Sequence, residues 1–455
     1  MLKNRPPRGE ESAHTHGELT SSKTSSGFTL VAALFGFSLI TLDTSVVNVA
    51  LPFISSSLGG GVSGLQWVVD AYTLAFAALL LSSGALTDRV GASRAFAMGI
   101  VMFTISSVVC GLSPNLLALI VARTVQGSAA ALVLPASLAL VRQAYTDPVK
   151  RARAVTAWAA GGSVSMALGP IAGGALTTLW DWRAVFFINL PAGAVALLLL
   201  VRAPRSKRNP APLDLPGQGL AIVALTSLAV AAIEEGKIRL IAIPIAMAAI
   251  AAFFLTEARQ AHPIVPFDLF RNPAVRIAIA AGAACSVAFY GVVFLFSLSL
   301  AMHEDRSALD VGLVFLPMTG LIAVTNVLSG RLAERYGPWL PMAVGQSLAA
   351  IGALILLLVG AGTPAGLVSV LLVPMGLGCA LALPPLTALM MDAVPAERAG
   401  LAAGVLNAAR QMAGGLAIAG FGSLVAHDFA EGMRLSLMIS AGLLGVTAVA
   451  TSKLR

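Results

Sequence analysis

Charge is scarce in this chain of 455 residues: Asp, Glu, Lys and Arg together make up 11%, against 57% hydrophobic residues. So little charge spread over repeated apolar runs of about twenty residues excludes a soluble globular protein. Cysteine is nearly absent. Cys110, Cys285 and Cys379 fall inside apolar stretches at unrelated spacings, which excludes a disulfide framework and fits small packing residues. The five histidines, His14, His16, His262, His303 and His427, lie scattered in the tail and loops, with neither metal-ligand spacing nor a nucleophile nearby, so no metal site and no enzyme is expected. A nucleotide-binding loop is missing as well: the only Gly-Lys pair, Gly236-Lys237, has Ala231 and Ile238 where such a loop requires glycine and Ser or Thr.

What remains is an integral helical membrane protein. Apolar spans are expected near 28–52, 65–86, 93–113, 116–141, 152–176, 184–202, 215–233, 238–256, 275–300, 310–332, 339–359, 365–391, 399–425 and 433–452. Residues 1–27 are polar and are expected to form a disordered tail, too hydrophilic for a cleaved leader. With that tail inside, inner segments hold 22 of the 29 Lys and Arg, while outer loops hold Arg183, Lys237, Arg239, Arg306 and Arg434. The positive-inside rule then places both termini in the cytoplasm. The excess of base serves this topology, and no nucleic-acid partner is expected.

One signature occurs twice, GALTDRVG at Gly84–Gly91 and GRLAERYG at Gly330–Gly337, each in a short basic loop between apolar spans. Such a duplication marks two related halves, the arrangement secondary transporters use for alternating access. The stretch RAPRSKRNPAPL after the sixth span reads as the linker between halves. The expected organisation is therefore a six-helix half (28–202), a basic Pro-rich linker (203–214), an extra two-helix hairpin (215–256) and a second six-helix half (257–455). The hairpin carries no buried charge or glycine motif in this reading and is expected to be peripheral.

Further motifs are LDTSVVNVALP at Leu42–Pro52, WVVDAYTLAFA at Trp67–Ala77, GALTDRVGASR at Gly84–Arg94, RTVQGSAAA at Arg123–Ala131, GGSVSMALGPIAGG at Gly161–Gly174 and WRAVFFINLPAG at Trp182–Gly193. In this order they resemble the major facilitator superfamily over essentially all of the chain after the tail, specifically the fourteen-helix drug:proton antiporter branch and its methylenomycin-resistance-type exporters. Ala92-Ser93 stands where that pattern has paired basic residues before Arg94. The resemblance implies an all-α membrane protein with the major facilitator fold, fourteen transmembrane helices arranged 6+2+6, and two pseudo-symmetric halves. It implies a multi-pass protein of the plasma (inner) membrane, acting as a monomer without cofactor, driven by the proton gradient and exporting a small hydrophobic drug or antibiotic. Export of an endogenous metabolite or lipid by the same fold is the alternative.

Asp43 lies about nine residues, roughly 13 Å, inside its span. Intramembrane acids are costly and mark ion or substrate paths, although hydrogen bonds from Thr44, Ser45 or a neighbouring helix could also satisfy it. Arg123 lies roughly 10 Å deep at the same level, so the two can pair, and the resemblance associates this arginine with proton translocation. Asp70, roughly 8 Å deep, reads either as a second proton or cation site or as a solvated helix end. No acid falls within the spans of the second half, so coupling belongs to the first. Gly162, Gly169, Pro170, Gly173 and Gly174 form the antiporter motif, where small residues allow close helix crossing and proline kinks the helix. In the repeated loops Gly84, Asp88, Arg89, Gly91 and Arg94, matched by Gly330, Glu334, Arg335 and Gly337, are candidates for a charge cluster that breaks when the halves rock. Asn48, Gln126, Phe289, Tyr290, Phe294 and Arg410 are candidates for lining a substrate cavity, with Phe296 beside them. Aromatic residues at this spacing also pack cores, and Arg410 could instead be anchored through Asn407 and Gln411.

Overall fold

A computed structural model describes residues 10–202, 206, 214–260, 265, 267–303, 307–360, 362–394 and 399–454. Every expected span is occupied by helix. The first half comprises α1 (Glu10–Leu58), α2 (Gly61–Val90), α3 (Ala92–Gly111), α4 (Leu116–Ala144), α5 (Pro148–Leu179), α6 (Ala184–Phe187) and α7 (Asn189–Leu200). The hairpin is α8 (Leu215–Ile233) and α9 (Gly236–Glu257). The second half follows as α10 (Pro273–His303), α11 (Ala308–Val314), α12 (Leu316–Tyr336), α13 (Trp339–Ile355), α14 (Ala365–Asp392), α15 (Ala399–His427) and α16 (Phe429–Ser452). Eleven of the described helices are each long and apolar enough to cross a bilayer. In such a solvent only helices and closed barrels satisfy their own backbone, which is why apolar runs of this length fold as they do.

Polar residues set the helix starts. Asn115 accepts from the Ala118 N–H at 2.9 Å, Asp147 from Lys150 at 2.8 Å, Asp214 from Gly217 at 2.8 Å and Asp428 from Glu431 at 2.8 Å. Two expected spans are interrupted. The sixth breaks at Ile188 between α6 and α7, and the tenth at Phe315 between α11 and α12. Pro191 and Pro317 follow within three residues; each lacks an N–H and crowds the carbonyl four residues earlier, which opens the ladder there. The expected disordered tail is helical from Glu10 onward. A helix already nucleated by an apolar span extends into polar residues one hydrogen bond at a time.

Within the first half α1 packs on α4, α5 and α7, and α2 on α4; within the second α10 packs on α14, α15 and α16, and α13 on α14 and α16. The halves meet along two seams, α2 against α15 and α5 against α11 and α12. The largest apolar core is continuous across them, joining Val47, Leu65 and Leu119 to Phe294, Leu372 and Leu437. Cys110, Cys285 and Cys379 are free and buried in it.

The hairpin is peripheral only in part: α9 packs on α8 and is mostly exposed, whereas α8 also lies against both halves. Leu225, Ala229 and Ile233 of α8 share a core with Leu74 and Ala78 of α2 and Ala419 of α15, so α8 lies along the seam and touches both halves. It also carries buried charge: Glu257 at the end of α9 is 2% exposed and accepts from the Val265 N–H at 3.1 Å, and Asp214 is buried at the start of α8. The Gly217 backbone passes between those two carboxylates, a close approach that needs the absence of a Cβ. Of the expected linker, Ser206 is described, its hydroxyl 2.9 Å from that of Ser93 at the start of α3; 203–205 and 207–213 lie outside the described residues.

Candidate functional site

Five elements of the first half converge on Asp43. Its Oδ2 accepts from Arg123 Nη1 at 2.6 Å, and its Oδ1 accepts from Gln126 Nε2 at 2.8 Å and from Asn189 Nδ2 at 2.7 Å. Arg123 and Gln126 are three residues apart on α4 and so present to one side, where Arg123 Nη1 also donates to Gln126 Oε1 at 2.8 Å. Arg123 Nε donates to the Val68 carbonyl of α2 at 3.2 Å, and its guanidinium lies 4.2 Å from the Tyr72 ring centroid. Asp43 and Asn189 are 0% exposed and Arg123 is 1% exposed, so this is a dry ion pair whose carboxylate also accepts from two amides and whose guanidinium also donates to the Val68 carbonyl and Gln126, while Asn189 Oδ1 finds no partner among the described residues.

The break at Ile188 positions Asn189. Its amide also donates to Ser107 Oγ at 2.9 Å, and that hydroxyl donates to the Phe186 carbonyl at 2.8 Å, tying α3 to the interruption. Thr44 and Ser45, the local hydroxyls expected as alternatives, bond back to Ile40 and Thr41 carbonyls of their own helix at 2.9 and 3.1 Å. The partners of Asp43 all come from other helices.

Asp70 is not at a solvated helix end. It is 0% exposed, and among the described residues neither carboxylate oxygen has a hydrogen-bond partner. It faces across the seam: a Cβ on Gly415 of α15 would lie 3.5 Å from Asp70 Oδ1. Asn48, five residues beyond Asp43, donates to the Thr44 carbonyl at 3.0 Å, while its Oδ1 is buried without a partner among the described residues.

In the second half Arg410 is half-buried; its Nη1 lies 3.4 Å from Asn407 Oδ1, and its Nε is buried without a partner among the described residues. Its stem passes Gly282 of α10. Phe289 and Tyr290 are half-buried and meet edge to face at 5.8 Å. Phe294 and Phe296 are fully buried core residues and line no open space.

The antiporter motif has two faces. Gly162, Gly169 and Gly173 let α5 lie against Phe37, Ser45 and Val46 of α1, whereas Gly174 faces the other half: a Cβ there would stand 2.6 Å from the Ala308 carbonyl and 2.8 Å from Leu309 Cα. Across the same contact the Leu309 N–H donates to Thr178 Oγ1 at 3.1 Å, and Gly312 passes against the Pro170 carbonyl. The repeated loops share a backbone. Gly91 has φ 91° and ψ 136°, and Gly337 φ 81° and ψ 162°; each donates to the carbonyl four residues earlier, on Thr87 and Ala333. Arg89 and Arg335 occupy the last turns of α2 and α12, where a cation complements the helix dipole. The charge cluster itself is not assembled: among the described residues Asp88, Arg89, Arg94, Glu334 and Arg335 are exposed with no ion pair between them, and Gly84 and Gly330 have nothing within 4 Å of a Cβ position. The halves touch from the end of the bundle away from these loops, at Gln66 and Gly174, to mid-span, where Asn326 Nδ2 of α12 donates to Ser163 Oγ of α5 at 3.2 Å and Ala408 of α15 shares a core with Phe76 and Leu80 of α2.

Asn189, Ser107, Tyr72 and the Val68 carbonyl join the site without being expected from sequence. The signal for Asn189 was a lone amide in an apolar span two residues before Pro191. Among the described residues there is no His, Cys, Asp and Glu cluster able to hold a metal.

Residues 33–418 match the Major Facilitator Superfamily. The chain is 36% identical over 406 residues to the multidrug resistance protein Stp of Mycobacterium tuberculosis, covering 88% of this chain and 75% of that protein. It is 34% identical over 423 residues to the methylenomycin A resistance protein of Streptomyces coelicolor, covering 91% and 89%. Its fold matches a bacterial homologue of the lysosomal transporter Spinster, solved inward-facing and unoccupied, with a TM-score of 0.68 at 18% identity over 94% and 96% of the two chains. By its motifs, its two-half architecture and these relatives, the chain belongs to the Major Facilitator Superfamily.

Proposed function

We propose that this chain exports hydrophobic or amphipathic drugs or antibiotics across the plasma membrane in exchange for protons, by alternating access, with both termini in the cytoplasm and fourteen spans. The observation that carries the reading is the dry network of Asp43, Arg123, Gln126 and Asn189 beside a second buried acid, Asp70, at the seam. Relatives named for multidrug and methylenomycin A resistance supply the substrate class.

With the far end joined across the seams and no ion pair linking the signature-loop charges among the described residues, we read the halves as an inward-open carrier. A guanidinium at 2.6 Å balances the charge of the Asp43 carboxylate, and separating the two leaves a buried charge that a proton can neutralise. Rocking that shifts α4 against α1 therefore converts a change of shape into uptake or release of a proton. Asp70, facing α15, meets solvent when the α2–α15 seam opens and is the second exchange site. One proton moving inward down a potential of 100 mV supplies about 2.3 kcal/mol, enough to sustain a useful outward gradient of substrate.

The test is reconstitution in proteoliposomes holding a pH-sensitive dye, with an imposed pH gradient and a panel of cationic and neutral antibiotics. Substrate-dependent proton release that disappears in Asp43→Asn supports the reading. Efflux with unaltered proton dependence in both Asp43→Asn and Asp70→Asn removes the acids from coupling, and silence of the folded wild-type protein across the panel points to a narrow metabolite carrier.

A further inference from the structure

The α8–α9 hairpin is bonded to both halves at one end. At its turn the Trp67 indole N–H of α2 donates to Glu234 Oε1 at 2.8 Å. Arg239, in the first turn of α9, caps the end of α8 by donating from Nε to the Ala231 and Glu234 carbonyls at 3.1 and 3.0 Å, and its Nη2 reaches Ser423 Oγ of α15 at 3.4 Å. Glu235 stands 3.4 Å from His427 of α15, an exposed pair that adds little. The neighbouring residue of α2, Gln66, crosses the seam directly and donates to the Ile418 carbonyl at 3.2 Å and to that of Ala419.

The other end of the hairpin is bonded to α2 and, through Glu257 and Val265, to the segment that leads into α10, but not to α15 among the described residues. There Gln218 donates to the Ala78 carbonyl of α2 at 2.8 Å and pairs with Ser82 of the same helix. The hairpin is thus held to α2 at two heights some ten residues apart, and polar contacts join it to α15 solely, among those described, around its turn.

We propose that the hairpin is a clasp: it travels with the first half and, through Arg239 and Ser423, latches the α2–α15 seam shut at the end away from the signature loops. Opening that end then requires release of the clasp as well as of Gln66. The clasp gives the two added helices a mechanical role in a fold whose halves are already complete without them, and it rests on the alternating-access reading.

The measurement is the distance distribution between nitroxides on Ser57→Cys and Ala430→Cys, both exposed and one in each half at the latched end, while the native cysteines are buried. Losing one net hydrogen bond changes a two-state ratio about fivefold. Arg239→Ala and Ser423→Ala are each expected to raise the ratio of long to short separations by about that factor. Trp67→Phe, which keeps the ring and removes the N–H, is expected to free the turn from α2 and have the same direction of effect, and Arg434→Ala at the same end is expected to leave the ratio unchanged. An unchanged ratio in Arg239→Ala and Ser423→Ala, with a rise in Gln66→Leu, overturns the clasp and leaves the direct contact holding the seam. A single short separation in every variant, Gln66→Leu included, instead defeats the alternating-access reading and takes the clasp with it.

Discussion

Replacing Asp43 by Asn strips the charge from one side of a buried pair and leaves Arg123 in place. The substituted amide's oxygen can still accept from Gln126 and Asn189, whose own amides reach Asp43 at 2.8 and 2.7 Å, but its NH2 group turned to Arg123 sets donor against donor. Arg123 keeps Gln126 Oε1 at 2.8 Å, the Val68 carbonyl at 3.2 Å and the Tyr72 ring. Breaking a buried pair by removing one partner costs about 3–5 kcal/mol, and these residual contacts put Asp43→Asn near the lower figure, about 3 kcal/mol. Arg123→Gln strands a carboxylate that retains two amide donors and costs about 2 kcal/mol, of the order of one charge-assisted hydrogen bond. In the double variant two amides can bond to each other and no charge is stranded, so it should lie within about 1.5 kcal/mol of wild type, with a coupling energy of at least about 3.5 kcal/mol. Denaturant titration of the purified protein in mixed micelles, read by intrinsic tryptophan fluorescence, closes the cycle. Single-variant losses that add to within about 0.5 kcal/mol would refute the claim that the two charges stabilise each other in this conformation.

Asn189→Ala removes one of three donors to Asp43 and should cost about 1.5–3 kcal/mol in the same titration, without abolishing the Asp43–Arg123 coupling measured in that background. Gly91→Ala and Gly337→Ala place a side chain at φ 91° and 81° and should each lower stability by about 1–3 kcal/mol, whereas Gly84→Ala, with open space around it, should stay within about 0.5 kcal/mol in thermal or chemical unfolding. Oxidation of a Thr178→Cys, Leu309→Cys pair should cross-link α5 to α11, and adding Gly174→Leu, which drives a side chain into the Ala308 backbone, should lower the yield severalfold; an undiminished yield would show that the seam does not depend on that glycine.

The spans were legible because runs of apolar residues this long have one way to satisfy their backbone in lipid. The interruptions were not, although Pro191 and Pro317 stood in plain view, because apolar composition continues smoothly through Ile188 and Phe315. Asp43 and Arg123 could be picked out because a charge in a span needs a reason; Asn189, Ser107 and Tyr72 could not, since an amide or hydroxyl can satisfy itself on its own helix, as Thr44 and Ser45 do. Nor does linear spacing reveal which helices adjoin, and that is what left Asp70 open between a buried site and a solvated helix end: counted from the helix end it sits shallow, yet it is fully buried facing α15. The hairpin was misjudged in part for the same reason. Glu234, Arg239 and Glu257 lie at helix ends where sequence reads them as solvated, and only packing against α2, α15 and the segment around Val265 gives them partners.

The two halves repeat in backbone and diverge in chemistry. Gly91 and Gly337 take nearly the same dihedrals at the ends of α2 and α12, so the hinge-like turn below each half is built alike. Among the described residues the ion pair on α1 and α4 has no counterpart: Asp310, Glu334, Asp392 and Glu431 of the second half lie at helix ends, and Arg410 is met by an amide oxygen at 3.4 Å rather than by a carboxylate. On the proposed reading, rocking needs matched turns on both sides, and the duplicated glycine turns supply them. Proton coupling needs one place where moving helices apart changes the cost of a charge, and a second such place would bind a second proton independently and blur the stoichiometry. On the proposed reading, keeping Asp43, Arg123 and Asp70 in one half and the described acids of the other at helix ends ties each rocking cycle to a single set of charges, and the cavity face of the second half is left to meet the cargo.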